Sequence, residues 1–211
     1  MQIELIDLGQ KGFGEALDFQ EKRVAERQAN RVGDTLILVE HPPVYTLGRN
    51  ADPTNVLKSE AELKQSGIAL VRTTRGGQVT YHGPGQLVGY PILKLSTQKQ
   101  QGVLWYVGQL ENMLIKTLHD FGIESYAGQK DRGVWVGNDK IAALGVRVTR
   151  HVTMHGFALN VRVKLENYKG IVPCGIRDKG VTSMHKFVPD ITLEKVKPVL
   201  IKSFKETFDE T

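Results

Sequence analysis

The sequence contains one cysteine in 211 residues, which excludes an intramolecular disulfide bond. No apolar run approaches the roughly 18 residues that a membrane-spanning helix needs, and the first residues lack the basic and apolar regions of a signal peptide. Repeats, low-complexity tracts and linkers are also absent. We therefore expect a reducing, cytoplasmic setting, no membrane association and one domain over residues 1–211.

The lysines and arginines are spread along the sequence and do not form one cluster, although the chain has a formal net charge of +5 at pH 7. A basic balance suits an acidic protein partner as well as nucleic acid. Because the sequence lacks the stacking aromatics and basic clusters of nucleic-acid-binding proteins, we do not expect nucleic acid as a partner. With 40% hydrophobic and 24% charged residues, the composition is that of a globular protein that buries its own core.

The apolar pattern predicts a mixture of helices and strands. Helical spacing predicts helices over 13–28, 103–121 and 193–208. Alternating or β-rich runs predict strands over 3–8, 35–40, 44–48, 68–72, 87–93, 133–137, 140–148 and 153–161. Ser59 and Glu62 have capping-box spacing and open a further short helix that ends near Gly67. Short turns in the second half favour antiparallel pairing, and the order of elements indicates an α+β fold rather than a doubly wound sheet.

Cys174 lies between Pro173 and Gly175, with no second cysteine and no Cys/His metal spacing around it. A lone thiol in this setting is a candidate nucleophile. The alternative is a structural role, because unpaired cysteines are often buried as small hydrophobic residues.

The stretch 75–86 is a loop with four glycines in twelve residues, and Arg75 and His82 add a charge and a titratable group. Glycines let backbone N–H groups approach a carbonyl, a phosphate or an extended chain. The loop is neither a P-loop nor a dinucleotide-binding motif, because their spacings are not met. The alternative is a glycine-rich hairpin in which His82 is simply buried.

Lys140 stands between a polar turn and a run of small and apolar residues. An ammonium group there could lower the pKa of a nearby thiol from its usual value of about 8.5, although most lysines at turns are simply solvated. His151 and His155 are four residues apart, but no carboxylate or cysteine lies close in sequence to complete a metal site. We therefore expect no metal.

Together these stretches resemble the lipoyl(octanoyl) transferase family, the lipoate-protein ligase B type of octanoyltransferase. The resemblance rests on four motifs: Arg75-Gly76-Gly77-Gln78-Val79-Thr80-Tyr81-His82-Gly83-Pro84-Gly85-Gln86, Lys140-Ile141-Ala142-Ala143-Leu144-Gly145, His155-Gly156-Phe157-Ala158-Leu159-Asn160-Val161 and Pro173-Cys174-Gly175-Ile176. It implies the fold of the biotinyl/lipoyl protein ligase catalytic domain, with a mixed, largely antiparallel sheet and flanking helices.

The resemblance also implies roles for individual residues. Cys174 would be the acyl-accepting nucleophile and Lys140 the residue that activates it. The residues implied to line the acyl site are Arg75, Gly76, Gly77, Gln78, Val79, Thr80, Tyr81, His82, Ala143, Leu144, Gly145, Gly156, Phe157 and Ala158.

The implied activity is transfer of an octanoyl group from octanoyl-acyl carrier protein to a lysine of lipoyl domains, in protein lipoylation. The acceptors would be the lipoyl domains of 2-oxo acid dehydrogenases and the glycine cleavage H protein. No cofactor is expected, because conversion of a thioester to an amide is downhill. The alternatives are an ATP-dependent lipoate or biotin protein ligase on the same fold, and a binding module without chemistry.

Overall fold

The computed structural model describes residues 3–96, 101–172 and 179–208. The helices are α1 (Phe13–Gln28), α2 (Glu60–Gln65), α3 (Val103–His119) and α4 (Leu193–Phe208). The strands are β1 (Glu4–Gln10), β2 (Thr35–Glu40), β3 (Val44–Leu47), β4 (Ala69–Arg72), β5 (Val79–His82), β6 (Gln86–Ile92), β7 (Tyr126–Ala127), β8 (Val134–Val136), β9 (Asp139–Thr149), β10 (Val152–Asn160) and β11 (Gly180–Val181).

The helices confirm the predictions made from apolar spacing. α1 and α4 have the predicted bounds, and α3 ends two residues earlier than predicted. Ser59 caps α2, with its hydroxyl accepting from the Glu62 N–H while the Glu62 carboxylate accepts from the Ser59 N–H. No helix in the described part of the chain is long and apolar enough to cross a membrane.

The described strands form two sheets. The large sheet has the order β1-β2-β6-β10-β9-β8-β7, with β11 added along β9, and only the β1–β2 and β9–β11 pairs in it are parallel. The small sheet has the order β4-β3-β5. The predicted α+β fold with a mixed, largely antiparallel sheet is therefore confirmed, whereas the predicted loop 75–86 contains strand β5.

Helices cover both faces of the large sheet because its central strands are apolar on both sides. On β2, Leu36 and Leu38 pack in the cluster that contains α3 and α4, whereas Ile37 and Val39 pack in the cluster that contains α1. Successive side chains of a strand point to opposite faces, so one strand contributes to both layers. A third cluster surrounds the small sheet.

Candidate active site

A cavity lies where the small sheet meets the large one. It encloses about 380 Å³ of empty space, part of which is open to solvent. Its walls come from α1, β5, β6, β9 and β10 together with the turn before β5. The lining residues are Phe13, Arg75, Thr80, His82, Val88, Tyr90, Ala143, Leu144, Gly145, His155, Gly156, Phe157 and Ala158.

Strand β5 divides the predicted site residues into two sets. Thr80 and His82 line the cavity, whereas Val79 and Tyr81 pack in the third hydrophobic cluster. This alternation is the normal period of two along a strand. The structure therefore places Val79 and Tyr81 on the side of β5 that faces away from the cavity.

Three further residues of the glycine-rich stretch are near the cavity without lining it. The Gly76 N–H donates to the Val146 carbonyl of β9 at 3.0 Å, and Gly77 follows it with φ of 85°. Gln78 accepts a hydrogen bond from the Asp52 N–H at 3.0 Å through its side-chain oxygen. These contacts fasten the turn to β9 of the large sheet and to the loop that follows β3.

The opposite wall consists of two paired strands, β9 and β10. All six residues predicted there line the cavity, and they pair directly across the two strands: Ala143 with Ala158, Leu144 with Phe157, and Gly145 with Gly156. Phe157 and the small residues beside it make this wall apolar. The antiparallel register brings together two motifs that the sequence separates by about a dozen residues.

Arg75 is buried between the two sheets, with 7% of its surface exposed. Its guanidinium donates to the Thr46 hydroxyl and carbonyl on β3 and to the Gly76 carbonyl. Gly145 makes room for it, because a Cβ atom at that position would lie 3.0 Å from Arg75 Cδ. The glycine in β9 therefore permits a cation to pack directly against the sheet.

His82 is fixed by a buried hydrogen-bond network. Its Nδ1–H donates to Gln86 Oε1 at 2.7 Å, so Nε2 is unprotonated and accepts from the Thr46 hydroxyl at 3.4 Å. The Gln86 amide donates to Asn160 Oδ1 at 2.9 Å and to the Tyr168 hydroxyl at 3.0 Å. The Asn160 amide in turn donates to the Thr182 carbonyl at 2.9 Å.

The histidines around the cavity are held neutral. Burial, with the nearby His41 and the Arg75 guanidinium, lowers the pKa of His82 to about 3. Burial, with the charges of Arg75 and Arg147, lowers the pKa of His155 to about 4. Burial also lowers the pKa of His41, which donates from Nδ1 to the Lys11 carbonyl and accepts from the Tyr90 hydroxyl at 2.7 Å.

Lys140 lies on β9, three residues before Ala143 of the cavity wall. Its side chain is buried, its Nζ donates to the Arg132 carbonyl at 3.0 Å and the ammonium group lies 4.7 Å from the centroid of the Trp135 ring. Lys179 Nζ lies 4.6 Å from the same ring centroid and pairs with Asp131 at 2.8 Å. One indole ring thus contacts two ammonium groups, a favourable cation–π arrangement.

The carbonyl that binds Lys140 belongs to a turn anchored on α3. The buried Glu111 carboxylate accepts from Arg132 Nη1 and from the Gly133 N–H, both at 2.9 Å. Gly133 has φ of 134°, and a Cβ atom there would lie 2.8 Å from the Ala142 carbonyl and 3.1 Å from Lys140 Cε. A glycine is therefore required for Lys140 to reach this position.

Cys174 lies outside the described residues, as do its neighbours from Pro173 to Asp178. The chain before this segment ends at Val172, whose N–H donates to the Asn55 carbonyl at 2.8 Å. The chain after it resumes at Lys179 and enters β11, where Val181 pairs with Lys140 and the Thr182 N–H donates to the Lys140 carbonyl at 3.0 Å.

Comparisons with known proteins show the family to which this chain belongs. A sequence profile of the lipoyl protein ligase A/B catalytic domain matches residues 13–205. An octanoyltransferase of Alkaliphilus metalliredigens is 49% identical over 189 residues, covering 89% of this chain and 86% of the relative. An octanoyltransferase of Koribacter versatilis is 46% identical, covering 99% of this chain and 85% of the relative. The chain belongs to the octanoyltransferase family.

Solved structures show that this octanoyltransferase family member shares its fold with ligases. A crystal structure of lipoate-protein ligase A bound with ATP superposes with a TM-score of 0.82 at 19% identity, covering 99% of this chain and 86% of the ligase. Biotin protein ligase from Aquifex aeolicus superposes with a TM-score of 0.54 at 12% identity, covering 99% of this chain and 70% of the ligase. The predicted likeness to the biotinyl/lipoyl ligase catalytic domain is confirmed, and the relatives' names make the chain an acyltransferase.

Four lining residues of the octanoyltransferase cavity are missing from the sequence-based prediction: Phe13, Val88, Tyr90 and His155. From the sequence, Phe13 is recognisable only as the apolar start of α1. Val88 and Tyr90 are recognisable only as strand residues. His155 begins one of the four motifs that carry the family resemblance, and its φ of 58° is unusual for a residue other than glycine. His151 is exposed while His155 is buried, and the described residues contain no cluster of three or more metal-ligating side chains.

Proposed function

We propose that this octanoyltransferase moves an octanoyl group from acyl carrier protein to a lysine of a lipoyl domain, through a thioester on Cys174. The observation that supports this most is the placement of the apolar wall and Lys140 on one strand, β9. Strand residues advance by about 3.3 Å each, so Lys140 lies roughly 10 Å along β9 from Ala143. An acyl chain against the wall would therefore have its reactive carbon near Lys140.

The composition of the cavity walls suits an acyl chain on one side and polar groups on the other. Ala143, Ala158 and Phe157 would contact the chain, and the polar wall with Arg75 and His82 would lie opposite.

The first step forms the acyl-enzyme. The Cys174 thiolate attacks the thioester carbonyl, the bond between the acyl carbon and the carrier sulfur breaks, and the Lys140 ammonium gives its proton to the departing thiolate. Covalent catalysis of this kind replaces one difficult transfer by two easier ones. It also allows two large partners to use one site in turn.

The second step forms the amide. The neutral amine of the acceptor lysine attacks the Cys174 thioester, Lys140 accepts the proton that the amine loses, and Cys174 departs as a thiolate. Lys140 then carries its proton again, so the cycle closes without a nucleotide or another cofactor. The Arg132 carbonyl and the Trp135 ring would orient the ammonium group throughout.

Two measurements test the proposal. After incubation with octanoyl-acyl carrier protein, the intact protein should gain the mass of one octanoyl group on Cys174, and Cys174→Ala should gain none while remaining folded. Transfer to a lipoyl domain should then proceed without ATP. An absolute requirement for ATP and free octanoate would instead support the ligase alternative.

A further inference from the structure

Residues 162–186 are a net basic stretch of the chain, with six Lys and Arg against two Asp and Glu, a net charge of +4. A local excess of this size creates a positive potential that attracts acidic partners from a distance.

The described parts of this segment, on either side of residues 173–178, line a groove beside the candidate active site. The groove lies between the 3-10 helix Leu165–Gly170, strand β11 and the 3-10 helix Met184–Lys186, and it encloses about 660 Å³, much of it open to solvent. Lys169, Lys179 and Lys186 line it, and among the described residues Glu166 is its one acidic lining residue. We call this surface the basic groove.

The lysines of the basic groove differ in their surroundings. Lys179 pairs with Asp131 and contacts Trp135. Lys169 and Lys186 are exposed, and neither forms an ion pair with any residue that the structure describes. Phe187, directly after Lys186, is 46% exposed. Aromatic side chains are enriched at protein-binding surfaces, and exposed lysines beside one add charge that attracts an acidic partner.

The basic groove adjoins the reaction site. Its wall β11 pairs with β9, and Val181 of that wall lies directly opposite Lys140. A protein seated in the basic groove would therefore be one strand away from Lys140. This part of the argument rests on the proposed function, in which two proteins approach the same site.

Charge favours one of these two proteins. The acceptor must bring a lysine side chain to the site, and the positive potential of the basic groove opposes an incoming ammonium group. The donor brings an uncharged thioester on an acidic protein. We infer that the basic groove docks the acidic surface of the acyl carrier protein, with Lys169 and Lys186 as its main electrostatic contacts.

The test separates docking from chemistry. In Lys169→Glu/Lys186→Glu, single-turnover acylation of Cys174 by octanoyl-acyl carrier protein should be slower by about tenfold or more at low salt. Acylation by a small thioester, octanoyl-pantetheine, should be unchanged, because it has no acidic surface to dock. Discharge of the acyl-enzyme to a lipoyl domain should also keep its rate.

A matched control reverses two exposed lysines elsewhere, Lys22 on α1 and Lys205 on α4. Lys22→Glu/Lys205→Glu has the same net charge as the groove variant and should acylate from the carrier protein close to the unsubstituted rate. Equal losses in the two double variants would show that net charge, and not the basic groove, governs association.

Other outcomes would also overturn the inference. A loss shared by the carrier protein and octanoyl-pantetheine would mean that the substitutions disturb the reaction site itself. A loss confined to discharge would assign the basic groove to the acceptor. If the unsubstituted protein were acylated by neither donor, the proposed function would fail and the inference about the basic groove would fail with it.

Discussion

The wall of the cavity and the surroundings of Lys140 hold basic side chains in different ways. His82 and His155 are buried near the fixed charge of Arg75, and their pKa values are lowered to about 3 and about 4. The ammonium groups of Lys140 and Lys179 instead contact an indole ring, with a backbone carbonyl and a carboxylate beside them. The histidines of the wall therefore add hydrogen-bonding groups but no charge to that of Arg75, whereas the proposed function assigns proton transfer to Lys140.

The largest expected effect is the loss of activity on substitution of Lys140. Lys140→Met keeps the apolar stem but removes the proton donor and acceptor, so kcat/KM should fall by about 100-fold or more. The pKa of Cys174, measured from the pH dependence of iodoacetamide alkylation, should rise toward or above its usual value of about 8.5. Lys130→Met, at an exposed lysine, is the control. An unchanged alkylation pKa in Lys140→Met would disprove the pairing of the two residues.

The cavity wall should respond in stability. Gln86→Leu removes the partner of His82 and Asn160, and each buried polar group left without a hydrogen bond costs about 1–3 kcal/mol. We expect the free energy of unfolding to fall by about 3 kcal/mol, measured by urea denaturation. Gln78→Leu, at a partly exposed glutamine, should cost much less. Similar losses in both variants would show that the network adds little.

Acid should destabilise the wall through its histidines. Unfolding returns their pKa values to about 6.5, so between about pH 4 and 6.5 the unfolded chain binds more protons than the folded one. Stability is therefore fully present above this window and declines as the pH falls through it, by at most about 1.4 kcal/mol per pH unit for each histidine. Urea midpoints at pH 7, 6 and 5 measure the slope, which should be smaller in His82→Gln. Parallel pH curves for the two proteins would contradict the low pKa of His82.

The smallest expected effect concerns the contact between the two sheets. In Gly145→Ala the new methyl group would lie 3.0 Å from Arg75 Cδ and 3.1 Å from the Gly76 carbonyl, so one of them must shift. We expect a loss of about 1 kcal/mol in stability and a higher KM for the donor. Gly108→Ala on α3, where the methyl group meets no atom within 4 Å, is the control and should not destabilise. An unaltered KM in Gly145→Ala would mean that Arg75 does not shape the cavity.

Local patterns predicted the helices well, and long-range contacts explain what the sequence did not reveal. α1 and α4 are amphipathic, so their apolar spacing marks their bounds. β5 was not predicted, because its four residues lie within a glycine-rich stretch that favours a loop. β11 has two residues and depends on pairing with β9. Strands this short have too few residues to show the alternation of apolar and polar side chains that predicts a strand.

The site residues also divide into those that local motifs predicted and those that long-range contacts place. The motifs on β9 and β10 line one cavity because they pair directly, and their role in binding the acyl group stays a prediction. Glu111 accepts from the N–H of Gly133, in the turn beside Lys140, although it precedes Gly133 by 22 residues in the sequence. Nothing in the local sequence of α3 indicates that role. Phe13 reaches the cavity because α1 packs against β6 and β10, and Tyr90 lies on β6, which pairs with β10. Tertiary packing, which a single sequence does not specify locally, decides such positions.

The buried network around His82 has a consistent polarity. Arg75 donates to Thr46, Thr46 to His82, His82 to Gln86, Gln86 to Asn160, and Asn160 to the Thr182 carbonyl. These five bonds run in one direction, from the guanidinium to the residue that follows β11. Aligned hydrogen bonds polarise one another, so the amides of Gln86 and Asn160 each have one allowed orientation. The permanent cation at the donor end therefore sets the direction of dipoles that end at the Thr182 carbonyl.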